Sequence, residues 1–227
     1  ANASVNLRTL NETEKSLQLR PDWEIAAIAR AQLQSQQSAN TAIDSLTNFV
    51  DRNPGAHDAR LALARLLITE KRYDESRKQF DRLIKDTPDN PEVMYPVAML
   101  ALQQGDTVTG RAQLERLLTS DYPDKSNIHF FLGQLDHEDK KPDSALEHFR
   151  QVTPGPQFIA ARSRAALILT QQGKIDAARE LLHSTQSTSP AESIQLTLAE
   201  SQLLREAGRH NDAYIVLDSA LSTLPDS

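Results

Sequence analysis

The chain has no cysteine, only seven glycines, and aromatic residues at 5% of its 227 positions. Without cysteine it has no disulfide, no thiolate metal ligand and no sulfur nucleophile. So few glycines leave too little positive-φ turn chemistry for a many-stranded sandwich or barrel, whose tight hairpins depend on it. Long apolar runs are lacking too: residues 93–102 form the best candidate, about half the ~20 residues of a membrane-spanning helix, and they include Pro96. Positive charge is in deficit, with 25 Lys and Arg against 31 Asp and Glu. That argues against general nucleic-acid binding, which draws its free energy from cations placed on phosphates. The chain opens at Ala1 without a signal peptide. This reads as a mature or excised segment, with any targeting sequence or lipid anchor outside it. What remains, 39% hydrophobic and 25% charged residues, suits one large domain or a repeat array and leans all-α.

The prolines supply a period. Pro21, Pro54, Pro88, Pro123, Pro156, Pro190 and Pro225 are separated by 33, 34, 35, 33, 34 and 35 residues. Other residue classes recur in phase with them. A small residue follows each proline at a nearly constant interval: Ala31, Ala64, Ala98, Gly133, Ala166 and Ala199. A second small set, Ala42, Ser76, Gly110, Ala145, Ala178 and Ala213, comes about twelve residues later. Leu46, Phe80, Leu114, Phe149, Leu182 and Leu217 stand four residues beyond that.

Two small residues on successive helices let the backbones approach, and the large side chain one turn on fills the space beside the crossing. Each unit is thus predicted to be an antiparallel helical hairpin with a polar turn, such as Gln104-Gly105-Asp106 or Gln172-Gly173-Lys174. The recurring proline is expected to close the second helix, since it cannot continue the hydrogen-bond ladder. A hairpin of this size cannot bury its apolar face alone, so the units must stack.

This pattern of small, small, large and proline resembles the tetratricopeptide repeat (TPR), a 34-residue helix-turn-helix unit, best in Leu63-Ala64, Ser76, Phe80, Leu83 and Pro88 and in Leu132-Gly133, Ala145 and Phe149. The tyrosine that the family places one turn after the first small residue is replaced by Leu67, Ala101, Asp136, Leu169 and Leu203. The resemblance implies an all-α fold, a right-handed TPR superhelix (α-solenoid) of about six repeats plus a leading helix. It is expected to be a single array over 1–227, with a partial unit at 1–21 and full units at 22–54, 55–88, 89–123, 124–156, 157–190 and 191–225. Leu7, Leu10, Leu17 and Leu19 read as the closing helix of an earlier unit, and neither end carries a solvating cap. The expectation is a piece of a longer array, or a last helix covered by something else.

Catalytic signatures are missing: no G-x-S-x-G, H-E-x-x-H, Walker loop or dinucleotide fingerprint occurs. The six histidines are scattered, with no i, i+4 pair. The best metal candidate, Asp136-His137-Glu138-Asp139 with Asp143, reads better as a solvated acidic turn. The expected protein is not an enzyme and needs no cofactor or metal.

In this family the first helix of each unit lines the inner groove, which implies partner-facing positions at Ile28; Leu61, Arg65 and Ile68; Tyr95, Met99 and Leu102; and Phe130, Gln134 and His137. The expected ligand is a protein or peptide, held by an apolar groove centre. The Lys, Asn and Arg clamp with which chaperone-binding members hold a terminal carboxylate has no counterpart, since the matching positions include Ile28, Gln32, Ala62, Tyr95, Met99 and Phe131. Phrases such as Gln151-Val152-Thr153-Pro154-Gly155-Pro156-Gln157, Trp23-Glu24-Ile25-Ala26 and Leu203-Leu204-Arg205-Glu206-Ala207-Gly208-Arg209 resemble proteobacterial TPR lipoproteins of the cell envelope. One such lipoprotein is an adaptor that activates a periplasmic carboxyl-terminal processing protease and presents cell-wall hydrolases to it. The resemblance implies a periplasmic, outer-membrane-associated scaffold, with the cytoplasm as the alternative compartment. Two other roles stay open: an assembly factor for pili, exopolysaccharide or outer-membrane proteins, and the regulatory array of an enzyme whose catalytic domain lies elsewhere.

Overall fold

The computed structural model describes residues 2–223, with side chains from Arg8 to Ser222. Pro225, and the side chain of Leu7, lie outside the described residues. Among these residues every regular element is an α-helix: α1 (Asn2–Leu19), α2 (Glu24–Ser35), α3 (Ala39–Arg52), α4 (His57–Thr69), α5 (Tyr73–Asp86), α6 (Pro91–Gln103), α7 (Thr107–Thr119), α8 (Lys125–Glu138), α9 (Pro142–Gln151), α10 (Phe158–Gln171), α11 (Ile175–His183), α12 (Pro190–Glu206) and α13 (His210–Thr223). They form two compact units, residues 1–120 and 121–227. In the first, α1 packs on α2 and the hairpins α2/α3, α4/α5 and α6/α7 stack in series. In the second, α8/α9, α10/α11 and α12/α13 do the same.

The helices start where local chemistry satisfies their free N–H groups. The Ser38 hydroxyl accepts from the Thr41 amide at 3.3 Å, the Asp106 carboxylate from Thr109 at 3.0 Å, Asp124 from Asn127 at 3.0 Å and Ser189 from Glu192 at 3.2 Å. They end in a common device. Lys71, Gly105, Lys140, Gly173 and Gly208 all take positive φ, between 59° and 79°, at the hairpin turns. The next residue then donates back five positions: Arg72 to the Leu67 carbonyl, Asp106 to Ala101, Lys141 to Asp136, Lys174 to Leu169 and Arg209 to Leu204, each at 2.8–2.9 Å. This left-handed cap satisfies carbonyls that the helix end would orphan.

The small residues sit at the crossings. Ala31, Ala64, Ala98, Gly133 and Ala166 are buried, as are Ala42, Ser76, Gly110, Ala145, Ala178 and Ala213. The large residues Leu46, Phe80, Leu114, Phe149 and Leu182 are buried beside them. At Gly133 a Cβ would lie 2.8 Å from Cε1 of Phe149, so only hydrogen fits.

The last hairpin departs from the proline count. Ala199 is half-buried, whereas Ser201 is buried and stands twelve residues before Ala213; Leu204, not Leu203, accepts the capping bond. The cause is Pro190. It does not close α11, which ends at His183, but opens α12 with Ser189 as its N-cap, where a missing N–H costs nothing. Ser201 therefore stands eleven residues after its proline rather than ten, and Ala199, nine after it, falls about half a turn from the crossing.

Candidate functional site

In the first unit the first helices of three successive hairpins, α2, α4 and α6, border a groove of about 480 Å³. Ile28, Ala31, Leu46, Leu61, Ala62 and Leu66 provide its apolar surface; Gln32, Ser35, Asp58, Arg65 and Glu92 provide polar groups. The helices are tied at its edge. The Glu24 carboxylate of α2 accepts from the Ala59 amide in the first turn of α4 at 2.6 Å, where a helix N-terminus favours negative charge. Farther along, Nη2 of Arg65 lies 3.3 Å from Oε2 of Glu92 and 3.5 Å from the Glu92 carbonyl. That carbonyl faces the position of the N–H that Pro96, inside α6, lacks. Arg65 thus serves the fold of α6 as well as the groove rim.

The expected groove residues separate by environment. Ile28 is half-buried and Arg65 exposed, both on the groove wall. Leu61 also lines the groove, but it is 5% exposed and belongs to a core cluster with Ala64, Phe80 and Val93. Ile68 packs against that cluster. Tyr95 and Met99 are half-buried on α6, whereas Leu102 directs its side chain against Gly110 of α7. In the second unit Phe130 is 6% exposed, inside the core with Ala145 and Phe149, and the Arg164 guanidinium lies 5.9 Å from its ring centroid. Gln134 and His137 are half-buried on α8. Asp58 and Glu92, at equivalent positions in the first turns of α4 and α6, also line the groove, one turn before the positions that the family offset selects.

The second unit holds polar clusters that linear spacing hides. His129 of α8 and His148 of α9 stand nearly equidistant from the hairpin turn, and the antiparallel packing brings their Nδ1 atoms to 2.9 Å. One must donate and the other accept, so the pair in this geometry holds at most one proton between these two nitrogens. Burial pushes the His129 pKa below its ordinary value of 6.5, with His148 and Lys125 adding to the effect. Nε2 of His148 lies 3.7 Å from Oδ2 of Asp136, which is buried and also accepts from the Ser144 hydroxyl. Asp136 therefore faces α9, while Glu138 and Asp139 are exposed. No group of three or more His, Asp or Glu side chains is arranged to hold a metal ion among the described residues. A second buried carboxylate, Glu200, is matched by Arg179 Nε and His183 Nε2, each at 2.8 Å. Among the described residues no helix is long and apolar enough to cross a membrane.

Comparison with known proteins agrees with this architecture. Sequence profiles of the tetratricopeptide repeat match residues 33–100 and 97–158, together more than half of the chain. A TPR repeat-containing protein of Pseudomonas aeruginosa, PA4667, is 33% identical over 98 residues, 43% of this chain and 17% of its own length. Cellulose synthase operon protein C of Xanthomonas axonopodis pv. citri is 27% identical over 191 residues, 82% of this chain and 11% of its own length. The chain thus spans less than a fifth of either relative. Among solved structures, YrrB, a TPR protein with an unusual peptide-binding site, superposes with a TM-score of 0.66 at 17% identity, over 86% of this chain and 96% of that one. PilF of Pseudomonas aeruginosa gives 0.60 at 17% identity over 90% and 93%. At such identities the likeness is one of fold. The helical hairpins, their small-residue crossings and the matching profiles make this chain a member of the tetratricopeptide repeat family, an all-α fold that generally serves as a non-catalytic scaffold for protein–protein interaction.

Proposed function

We propose that the chain is an adaptor that holds a segment of a partner polypeptide in the groove between α2, α4 and α6. The observation that carries this reading is the groove itself: an apolar strip through the half-buried Ile28, Ala62 and Leu66, bordered by Gln32, Asp58, Arg65 and Glu92. An apolar centre with a polar rim is the composition of a protein interface, where the centre supplies free energy and the rim supplies orientation. The stacked hairpins pre-form it, so a ligand bears the ordering cost of its own chain only. The finer reading places the adaptor in the bacterial periplasm, associated with the outer membrane, where it presents cell-wall hydrolases to a carboxyl-terminal processing protease. Support for it comes from the resemblance of residues 151–157 and 203–209 to envelope TPR lipoproteins, with a bacterial TPR protein at 33% identity over part of the chain as a relative.

A second reading, assembly of an exopolysaccharide, is favoured by the alignment of 82% of the chain with a cellulose synthase operon protein. Capture from envelope extract on immobilised wild-type chain and on Gln32→Trp, which fills the groove from an exposed position, separates the two. An adaptor retains a processing protease and hydrolases on the wild type alone; an assembly factor retains polysaccharide-export components. Equal retention by both chains refutes the groove as the binding site.

A further inference from the structure

A different wall of the first unit carries an unmatched positive charge. Helices α1, α2 and α3 border a second, more polar depression of about 630 Å³, whose lining includes Glu14, Arg30, Ser45, Asn48, Phe49 and Arg52. Arg30 is half-buried and its Nε is shielded from solvent with no hydrogen-bond partner. A guanidinium N–H removed from water without an acceptor costs free energy, so this position favours an incoming acceptor. Neither Arg30 nor Arg52 makes an ion pair among the described residues, although seven other arginines of the first unit are each paired with a carboxylate at 4.0 Å or less. Ser45 and Asn48, on the same lining, offer neutral hydrogen-bond groups.

We propose that this depression is a second binding site and takes a carboxylate of a polypeptide, with Arg30 and Arg52 as its cationic partners. Two guanidiniums and one glutamate leave a formal charge of +1, which matches a monoanion better than a doubly charged phosphate. The planar fork of arginine pairs with the two carboxylate oxygens. Phe49, on the same lining, supplies apolar surface for the residue that bears the carboxylate. The site is separate from the groove between α2, α4 and α6 and stands whether or not that groove binds a partner.

Three fluorescein-labelled octapeptides of Gly and Ser test it by anisotropy: one ending in a free Leu carboxylate, one amidated with a single internal Asp, and one amidated without acidic residues. The intact chain is expected to bind the first or the second and not the third. Binding of the first alone identifies a chain terminus as the ligand, and binding of both identifies the carboxylate in either setting. Arg30→Gln and Arg52→Gln are each expected to weaken binding at least about tenfold, with unchanged helical circular dichroism. Gln32→Trp is expected to leave it unchanged. Binding of neither carboxylate peptide, equal binding of the neutral peptide, or undiminished affinity in the exposed Arg52→Gln variant overturns the proposal.

Discussion

The hydroxyl of Ser76 in α5 donates to the carbonyl of Ala64 in α4 at 2.8 Å, and both residues are fully buried. These are the two small positions of one hairpin, so the contact that lets the backbones approach is here also a hydrogen bond between helices. Ser76→Ala keeps the small volume and removes the bond, which is expected to cost about 0.5–1.5 kcal/mol. Urea unfolding followed by circular dichroism checks it; a variant as stable as the parent would mean that the bond contributes nothing net.

Volume at the crossing matters more than polarity. Gly133→Ala places a methyl group 2.8 Å from the ring of buried Phe149, and a ring wedged in the core cannot swing aside as a flexible chain end would. The gain in helix propensity, about 1 kcal/mol, opposes an overpacking cost of about 1–3 kcal/mol. Net destabilisation is expected, and Ala145→Leu at the facing small position should cost more. A stabilised Gly133→Ala protein contradicts this packing.

At the turns, Lys71 and Lys140 hold φ of 59°, where the equivalent residues of three other hairpins are glycine. A side chain in that region costs about 1–2 kcal/mol, partly offset by the larger unfolded-state entropy of glycine. Lys140→Gly should therefore stabilise the second unit by about 0.5–1 kcal/mol. Because Lys140 is exposed, no packing is lost. A lower melting temperature would show that the lysine makes a compensating contact.

Acid should loosen the second unit through the histidine pair. The folded state holds His129 below its ordinary pKa, so as pH falls through about 6.5 the unfolded chain takes up a proton first. Stability is then full above that value and declines on acidification until the folded group also titrates. Protonation of both rings further breaks the Nδ1 to Nδ1 contact, which needs one lone pair. Stability measured between pH 7.5 and 5.5 is expected to fall less steeply in His129→Gln than in the parent. Parallel profiles would remove His129 from the account.

Most of the architecture is visible in the spacing of small residues, because a helix crossing tolerates nothing larger and each hairpin repeats the demand. The exception is instructive: Pro190 keeps the period while changing its role from stop to start, so Ala199 looks like the crossing residue that Ser201 is. The left-handed residues mark the register better, since Gly208 stands seven places after Ser201 just as Gly173 stands seven after Ala166. The groove was legible as a set of helix positions but not as a set of exposed side chains. Leu61 and Phe130 occupy the inward offset and are nevertheless buried, because neighbouring hairpins close over them. Pairings between helices, His129 with His148 across one hairpin and Glu200 with Arg179 between two, depend on where the turns fall and have no linear signature.

The central claim is that polypeptide binding occurs between α2, α4 and α6, and the most direct measurement is the affinity of the captured partner for purified wild type, Gln32→Trp and Ile28→Arg. The account predicts that both variants keep the helical spectrum of the parent and bind at least about tenfold more weakly, the loss expected when a central contact of an interface is blocked. Wild-type affinity in both variants would contradict it.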